Sequence, residues 1–497
     1  MKYSTRIHTT ALTIALATSG CGSGERSPST EDETGVLTAA LSRVPDGVHC
    51  LRVVSIGART VEKLISVSPG DQPVKLDVRL PIGPQTIAGE ALEETCPASP
   101  DQVQGEPTWK SDPVFVRILA GVVKTIHLTM HKKGDTHVEV DFDTEGRGAA
   151  VSSGTDFTCA LADDGAAYCW GANGVGQTGT GSPQNVQLLV PTPVSGLPAP
   201  ARALAAGGGH ACTVLDDGTA YCWGFGEWGQ IGAPVADWTE VPLLVEGLPP
   251  ARDVALGGDH SCAITAVDDV YCWGLNSSGQ IGDGTMDNRG SAVPVPELAD
   301  IRALALGGAH SCAVLDDRSV KCWGSNSAGQ LGHGGADSAT PCSVPGPSGI
   351  VALAAGRAHT CAVDGDGVVS CWGANGHGQL GDGSSTDRGT PAEVSALPAP
   401  AVSVRAHGDT TCAVLSDDSA WCWGENAGGQ VGDGSTTDRW APTAVTGLGA
   451  SQDVSPGRNH TCALGATGVV SCWGQNSMGQ LGDGTTTAHL APAPATF

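Results

Sequence analysis

A cysteine pair recurs seven times along this chain: Cys159/Cys169, Cys212/Cys222, Cys262/Cys272, Cys312/Cys322, Cys361/Cys371, Cys412/Cys422 and Cys462/Cys472. The partners are always ten residues apart, and the second always opens the tripeptide Cys-Trp-Gly. Successive tripeptides lie 53, 50, 50, 49, 51 and 50 residues apart. A period near 50 held over seven copies defines a repeat architecture. It also shifts the expected function away from catalysis and toward binding.

The fifth copy shows what one unit builds. Two short apolar stretches, 360–363 and 368–372, flank a Gly/Asp cluster, which reads as a β-hairpin. If Cys361 faces Cys371, a three-residue loop at Gly365, Asp366 and Gly367 joins the strands, with the last position left-handed. Gly165, Gly218, Gly367 and Gly468 hold that position, and Asp268, Arg318 and Asp418 replace glycine in the other copies. Opposed cysteines on adjacent strands can form a disulfide, so seven disulfides are expected rather than seven pairs of thiols. Each copy adds two more apolar stretches, one before the hairpin (301–306) and one bounded by proline (193–197). Four short strands per repeat describe an all-β, seven-bladed β-propeller over residues 146–497. The C-terminal stretch 490–497 resembles the proline-bounded strand, so the C-terminus is expected to complete the blade begun by the first copy, as a clasp.

On these motifs the chain resembles the regulator of chromosome condensation repeat family. The shared pattern is Gly-x-x-His-[Ser/Thr]-Cys-Ala, a turn, then Cys-Trp-Gly-x-Asn-x-x-Gly-Gln-[Leu/Ile]-Gly-Asp-Gly. Its Gln stands at 177, 230, 280, 330, 379, 430 and 480. The resemblance also implies a seven-bladed propeller. By family analogy it raises nucleotide exchange on a GTPase, performed through a β-wedge inserted in a blade. The 49–53 spacing leaves no room for such an insertion.

The first residues concern destination. Lys2 and Arg6 precede a short apolar run, 11–17, then Thr18-Ser19-Gly20-Cys21. This reads as a lipoprotein signal peptide over 1–20, too short to span a bilayer, with Cys21 lipidated. Ordinary secretory cleavage is the alternative. Residues 21–35 suit a flexible tether. Residues 36–145 carry alternating runs at 50–55, 74–78, 114–118, 124–129 and 138–142, which read as a small β-sandwich, immunoglobulin-like or transthyretin-like. Cys50 and Cys96 are expected to pair there. Cys342 is then left over, as a lone thiol or an intermolecular partner. The expected location is the cell envelope, at the outer membrane or cell surface, with membrane contact only through the lipid.

Composition narrows the partners. From residue 149 onward there are 33 Asp plus Glu against 11 Lys plus Arg, a balance that disfavours nucleic acid. No nucleophile motif, phosphate loop or His-Glu-x-x-His is present, so no enzyme and no cofactor are expected. Five copies place His just before the first cysteine, at 210, 260, 310, 359 and 460, while Phe157 and Thr410 replace it elsewhere. One histidine per blade argues for a repeated structural hydrogen bond rather than a metal ring. Paired aspartates at 283/287, 382/387 and 433/438 leave calcium as a secondary expectation, although plain turns use the same residues.

The informative irregularity is aromatic. The second blade's loop lacks the Asn and the Gly-Asp-Gly of its siblings and gains Phe225, Trp228 and Trp238, and the sixth copy adds Trp421 and Trp440. Loop aromatics anchor protein interfaces. Phe225, Trp228, Trp238 and Trp440 are therefore the expected contacts for a protein partner on a monomeric ring. The alternative is a polysaccharide-active hydrolase or lyase, because aromatics also stack on sugars.

Overall fold

The computed structural model describes residues 150–497, apart from 184–185, 235–236, 299, 396 and 497, together with the backbone of nine strands in the first 149 residues. The chain divides into two units, 1–148 and 149–497. In the first, the strands are β1 (Ala11–Ala17), β2 (Thr34–Leu41), β3 (Cys50–Ile56), β4 (Val61–Ser66), β5 (Val74–Pro81), β6 (Gly83–Leu92), β7 (Trp109–Ser111), β8 (Val114–Ile118) and β9 (Ile126–Lys132). They pair in the order β4-β3-β6-β7-β9-β1-β2-β5, with β8 also on β6. Four of the expected runs coincide with β3, β5, β8 and β9. The run at 138–142, the Cys50–Cys96 pair and Cys21 lie outside the described residues.

The second unit holds seven four-stranded antiparallel sheets, the blades, at 150–193, 201–244, 251–294, 301–343, 350–393, 401–444 and 451–494. Each consists of four consecutive strands. The first strands of neighbouring blades pack on one another around the ring, and Ala150–Ser153 packs on Ser451–Pro456 to close it. The first strands are therefore innermost, and the proline-bounded fourth strands form the half-exposed outer edge. The expected clasp is not formed. The last strand, His489–Pro494, pairs with Val470–Gly474 of its own blade. The proline-bounded stretch follows the hairpin of its own blade in every copy.

The hairpins form as the spacing requires. In all seven blades the two cysteines stand directly opposite each other across the second and third strands. Each pair is joined as a disulfide. In blades 1 to 4 the bonds are Cys159–Cys169, Cys212–Cys222, Cys262–Cys272 and Cys312–Cys322. In blades 5 to 7 they are Cys361–Cys371, Cys412–Cys422 and Cys462–Cys472. The last loop residue is left-handed everywhere, with φ 81° at Gly367 and 64°, 62° and 71° at Asp268, Arg318 and Asp418. The glycine of Cys-Trp-Gly has a different reason. At Gly274 φ is 106°, and a Cβ there would lie 2.7 Å from the Asp259 carbonyl. The register slips between Cys272 and Gly274, so only glycine lets the third strand bulge against its neighbours.

The core lies between blades. Cys312, Val314, Cys322 and Leu331 of blade 4 pack on Leu353, Ala355, Ala362 and Trp372 of blade 5. The seven repeat tryptophans are fully buried. Each removes on the order of 200 Å² from water, about 5 kcal/mol of transfer free energy before entropy is charged against it.

Candidate protein-binding surface

A polar relay crosses most blade junctions. His260 Nε2 lies 2.8 Å from the Ser311 hydroxyl of the next blade, and that hydroxyl donates to the Gln280 carbonyl at 2.8 Å. Because its own proton goes to the carbonyl, the hydroxyl accepts from the imidazole, which places the ring proton on Nε2. Trp323 Nε1 donates to the same carbonyl at 2.9 Å. The pairs His210–Ser261, His310–Thr360, His359–Thr411 and His460–Thr158 repeat the contact, the last across the ring closure. Burial holds these imidazoles neutral, with pKa about 3 for His210, His260, His310 and His460 and about 4 for His359. The histidines are thus structural, as the repeat suggested, and their partner is a side-chain hydroxyl of the neighbouring blade.

The disulfide cysteines likewise belong to the blade interior and take no part in a surface site. Cys159, Cys169, Cys212, Cys222, Cys262, Cys272 and Cys312 are fully buried, and so are Cys322, Cys361, Cys371, Cys412, Cys422, Cys462 and Cys472. The first of each pair precedes the hairpin turn and the second follows it, so the bond staples the two middle strands beneath the surface that a partner could touch.

The aspartate loops are also committed internally. Asp283 accepts from Arg289 Nε at 2.6 Å, Asp433 from Arg439 Nε at 2.6 Å, and Asp483 lies 2.8 Å from His489 Nε2. At Asp382 burial alone would raise the carboxyl, but hydrogen bonds from Ser384 and Arg388 override it and bring the pKa to about 2. The second carboxylates of two loops cap backbone amides, Asp387 on Asn375 at 2.7 Å and Asp438 on Asn426 at 2.9 Å. The calcium expectation thus meets loops whose carboxylates already hold cationic or amide partners. Among the described residues no three His, Cys, Asp or Glu side chains converge as metal ligands.

Third strands end, and second and fourth strands begin, at one end of the ring. All the long loops and the Gly-Gly-x-His turns therefore lie at that end. There the loop glycine of each blade packs on the start of the next blade's fourth strand. The covering residue is small at three junctions: Gly290, Ala339 and Gly389. At two others it is Leu490 over Gly429 and Leu189 over Gly479, and at the junction of blades 5 and 6 it is Trp440 over Gly378. Trp440 is 50% exposed. Leu490, Met478, Val186 and Val190 are exposed as well, and Gln187 Nε2 reaches the Met478 sulfur at 3.2 Å.

In blade 2 the third strand is extended to Phe225, which stands opposite Trp238. Phe225 and Val175 of blade 1 both adjoin Gly209. Trp228 and Trp238 are each 37% exposed. Phe225, Trp228 and Trp238 thus share one blade, and Trp440 stands apart from them in blade 6. Blades 6, 7, 1 and 2 are consecutive around the ring, so the exposed apolar side chains of this end form an arc through them. Met286 of blade 3 is the exposed exception. Leu490, Met478 and Leu189 were not singled out from the sequence, because only the ring brings blade 7 beside blade 1. Trp421 is half-buried and donates to the Ser419 hydroxyl, so it belongs to the blade. Cys342, half-buried, faces Cys322 in register, its sulfur 3.2 Å from the Ser338 hydroxyl.

A closed ring of seven four-stranded blades with inter-blade His, Trp and Gln contacts defines a class of repeat propellers. The RCC1-like domain model matches residues 121–408, more than half of the chain, and the regulator of chromosome condensation repeat matches 417–464 and 452–480. The chain belongs to the RCC1-like domain family. Among solved structures, it is similar to Prp20p from Saccharomyces cerevisiae, with TM-score 0.61 and 20% identity over 69% of this chain and 86% of that one. It is also similar to human WBSCR16, with TM-score 0.59 and 21% identity over 68% and 90%. These likenesses show the fold. Curated relatives include zebrafish E3 ubiquitin-protein ligase MYCBP2, 35% identical over 98 residues, and the mitochondrial RCC1 domain-containing protein RUG3 of Arabidopsis thaliana, 35% identical over 101. The match spans 20% of this chain in each case, and only 2% and 22% of those relatives.

Proposed function

We propose that this protein is a binding module and not an enzyme, and that the long-loop end of its monomeric ring docks a protein partner. The observation that carries the reading is the apolar arc from Trp440 through Leu490 and Met478 to Trp238 and Trp228. A folded ring has no core reason to leave three tryptophans at one end more than a third exposed. Solved relatives are described with protein partners, Prp20p with Gsp1p and histones and yeast RCC1 with Kap60, which supports protein binding as a use of the fold. The reading includes export, with Cys21 as lipid attachment and the strand-rich first unit as a β-sandwich stalk. Seven disulfides support it, since such bonds persist in oxidising compartments.

The test is affinity capture from native envelope and culture extracts. One bait is the full chain and the other carries Trp228→Ala, Trp238→Ala and Trp440→Ala. A protein retained by the first and lost by the second supports the reading. Equal retention by both moves the site elsewhere. Retention of glycan alone, or release of sugar from it, replaces this reading with the polysaccharide one.

A further inference from the structure

Three blades place an aspartate in the turn before the second strand, Asp156, Asp259 and Asp409, and the ring treats them differently. Asp409 is buried, and Arg357, from the equivalent turn of the preceding blade, closes on it at 2.7 Å. Gln379 Nε2 donates to its other oxygen at 3.0 Å. At Asp156 the residue in that preceding turn is again arginine, Arg458, whose charge bears on it. At Asp259 the equivalent residue is Gly208. The rest of the cradle is present: Gln230 Nε2 reaches Asp259 Oδ1 at 3.4 Å, and the Gly208 amide makes the same kind of bond to the following turn as the Arg357 amide does.

The side-chain charge that bears on Asp259 is that of another carboxylate. Burial raises the Asp259 carboxyl, and Glu227 of the blade 2 loop raises it further. Glu227 is exposed and precedes Trp228 in the chain. Gln230 ties the two halves together, since its Oε1 accepts from the Trp228 amide at 3.0 Å while its Nε2 holds Asp259. Asp259, held by Gln230, thus lies at a junction whose adjoining loop carries Glu227 and the exposed Trp228, at the position where the junction of blades 5 and 6 keeps the Arg357 guanidinium on Asp409. A planar guanidinium suits this set, because it pairs with carboxylates and stacks on an indole.

We propose that an arginine side chain of the docked protein partner occupies this junction of blades 2 and 3, pairing with Asp259 and Glu227 against Trp228, as Arg357 pairs with Asp409 within the ring. The proposal rests on the protein-binding reading and names the chemistry that reading lacks. The acidic balance of the ring, 33 Asp plus Glu against 11 Lys plus Arg, favours a basic segment over an acidic one.

The test uses the full chain and needs no partner. Nα-acetyl-arginine amide and its uncharged isostere, Nα-acetyl-citrulline amide, are titrated while the indole N–H signals are followed by NMR, with Trp228 assigned through Trp228→Phe. The arginine amide should shift the Trp228 signal saturably, and the citrulline amide should bind at least about tenfold more weakly. Glu227→Gln, an exposed change that leaves the fold intact, and Asp259→Asn should each weaken arginine binding about tenfold. Equal binding of the two amides, no saturable shift, or full affinity in both variants would overturn the proposal. Its failure is separable from that of the protein-binding reading: if the extract partner is captured normally by Glu227→Gln and Asp259→Asn baits but not by the tryptophan-substituted bait, the docking surface stands and the arginine does not.

Discussion

Phe157 and Ala211 occupy, across the junction of blades 1 and 2, the positions held at five other junctions by a histidine and a hydroxyl. Both are fully buried in one cluster with Trp223. The Phe157 ring sits over Gly154 as the His260 ring sits over Gly257: a Cβ on either glycine would lie 2.2 or 2.3 Å from the ring. Where the polar donor is absent, so is its acceptor, and the junction is apolar on both sides. At the junction of blades 6 and 7 the solution differs, because Thr410 turns its hydroxyl to the Glu425 carbonyl of its own blade while Thr461 keeps its bond to Gln430.

This predicts a double-mutant cycle. Phe157→His alone buries an imidazole without an acceptor, and Ala211→Ser alone crowds a hydroxyl against an aromatic ring. Each should cost about 1–3 kcal/mol in urea unfolding. The double variant rebuilds the relay and should recover about 1–2 kcal/mol of the summed loss. Simple additivity would show that the two positions are not coupled.

Acid should open the ring through its histidines. Their folded pKa values of about 3 to 4 lie below the ordinary 6.5, so the unfolded chain takes up protons first. The stability they confer is whole above pH 6.5 and drains away as pH falls toward 3. The slope approaches about 1.4 kcal/mol per pH unit for each histidine within that window. Thermal midpoints recorded from pH 7.5 to 4 should therefore fall on acidification, and His260→Gln should fall less steeply. A flat profile would place the imidazoles in water.

The blade disulfides and Cys342 should separate chemically. The paired cysteines, from Cys159–Cys169 to Cys462–Cys472, are fully buried, whereas Cys342 is half-buried with a thiol. Iodoacetamide under native conditions should label Cys342 alone among the cysteines from residue 150 onward, as read by peptide mass spectrometry. Replacing Cys262 and Cys272 together by alanine should cost about 2–3 kcal/mol, as expected for a loop this short.

The tryptophans of the apolar arc should be dispensable for folding. Trp440→Ala and Trp238→Ala remove side chains that are 50% and 37% exposed, so the unfolding free energy measured in urea should fall by under about 1 kcal/mol. Trp273→Ala, its ring fully buried and bonded to the Gln230 carbonyl at 2.9 Å, should cost about 3–5 kcal/mol.

The hairpin was the most legible part of the molecule, because a ten-residue separation and a three-residue loop leave one register. Even Arg318, an awkward residue for a left-handed position, follows that rule. The phase of the repeat was not legible. A periodic sequence has no intrinsic first strand, and only the bond from Val470–Gly474 to His489–Pro494 shows that the proline-bounded strand closes its own blade. The histidine's structural role followed from its repetition, but its hydroxyl partner sits about 50 residues away, as Ser311 does from His260. The aromatic loop of blade 2 was visible as an irregularity. Its continuity with Trp440 depends on ring closure, and the missing arginine at Asp259 emerges only when equivalent turns of neighbouring blades are laid side by side.

Among the described residues no strand is exchanged between the ends of the ring. Blade 7 meets blade 1 through Ser153 and Ser455, bonded at 2.9 and 2.8 Å, and through His460 and Thr158, the same kind of contact found at other junctions. During synthesis each blade can thus acquire its pairing and its disulfide as it emerges, with the seam between first and last made at the end. Because that seam is one junction among seven, the connectivity is in principle interchangeable. New termini cut between any two blades, with the old ends joined by a short linker, should yield the same ring.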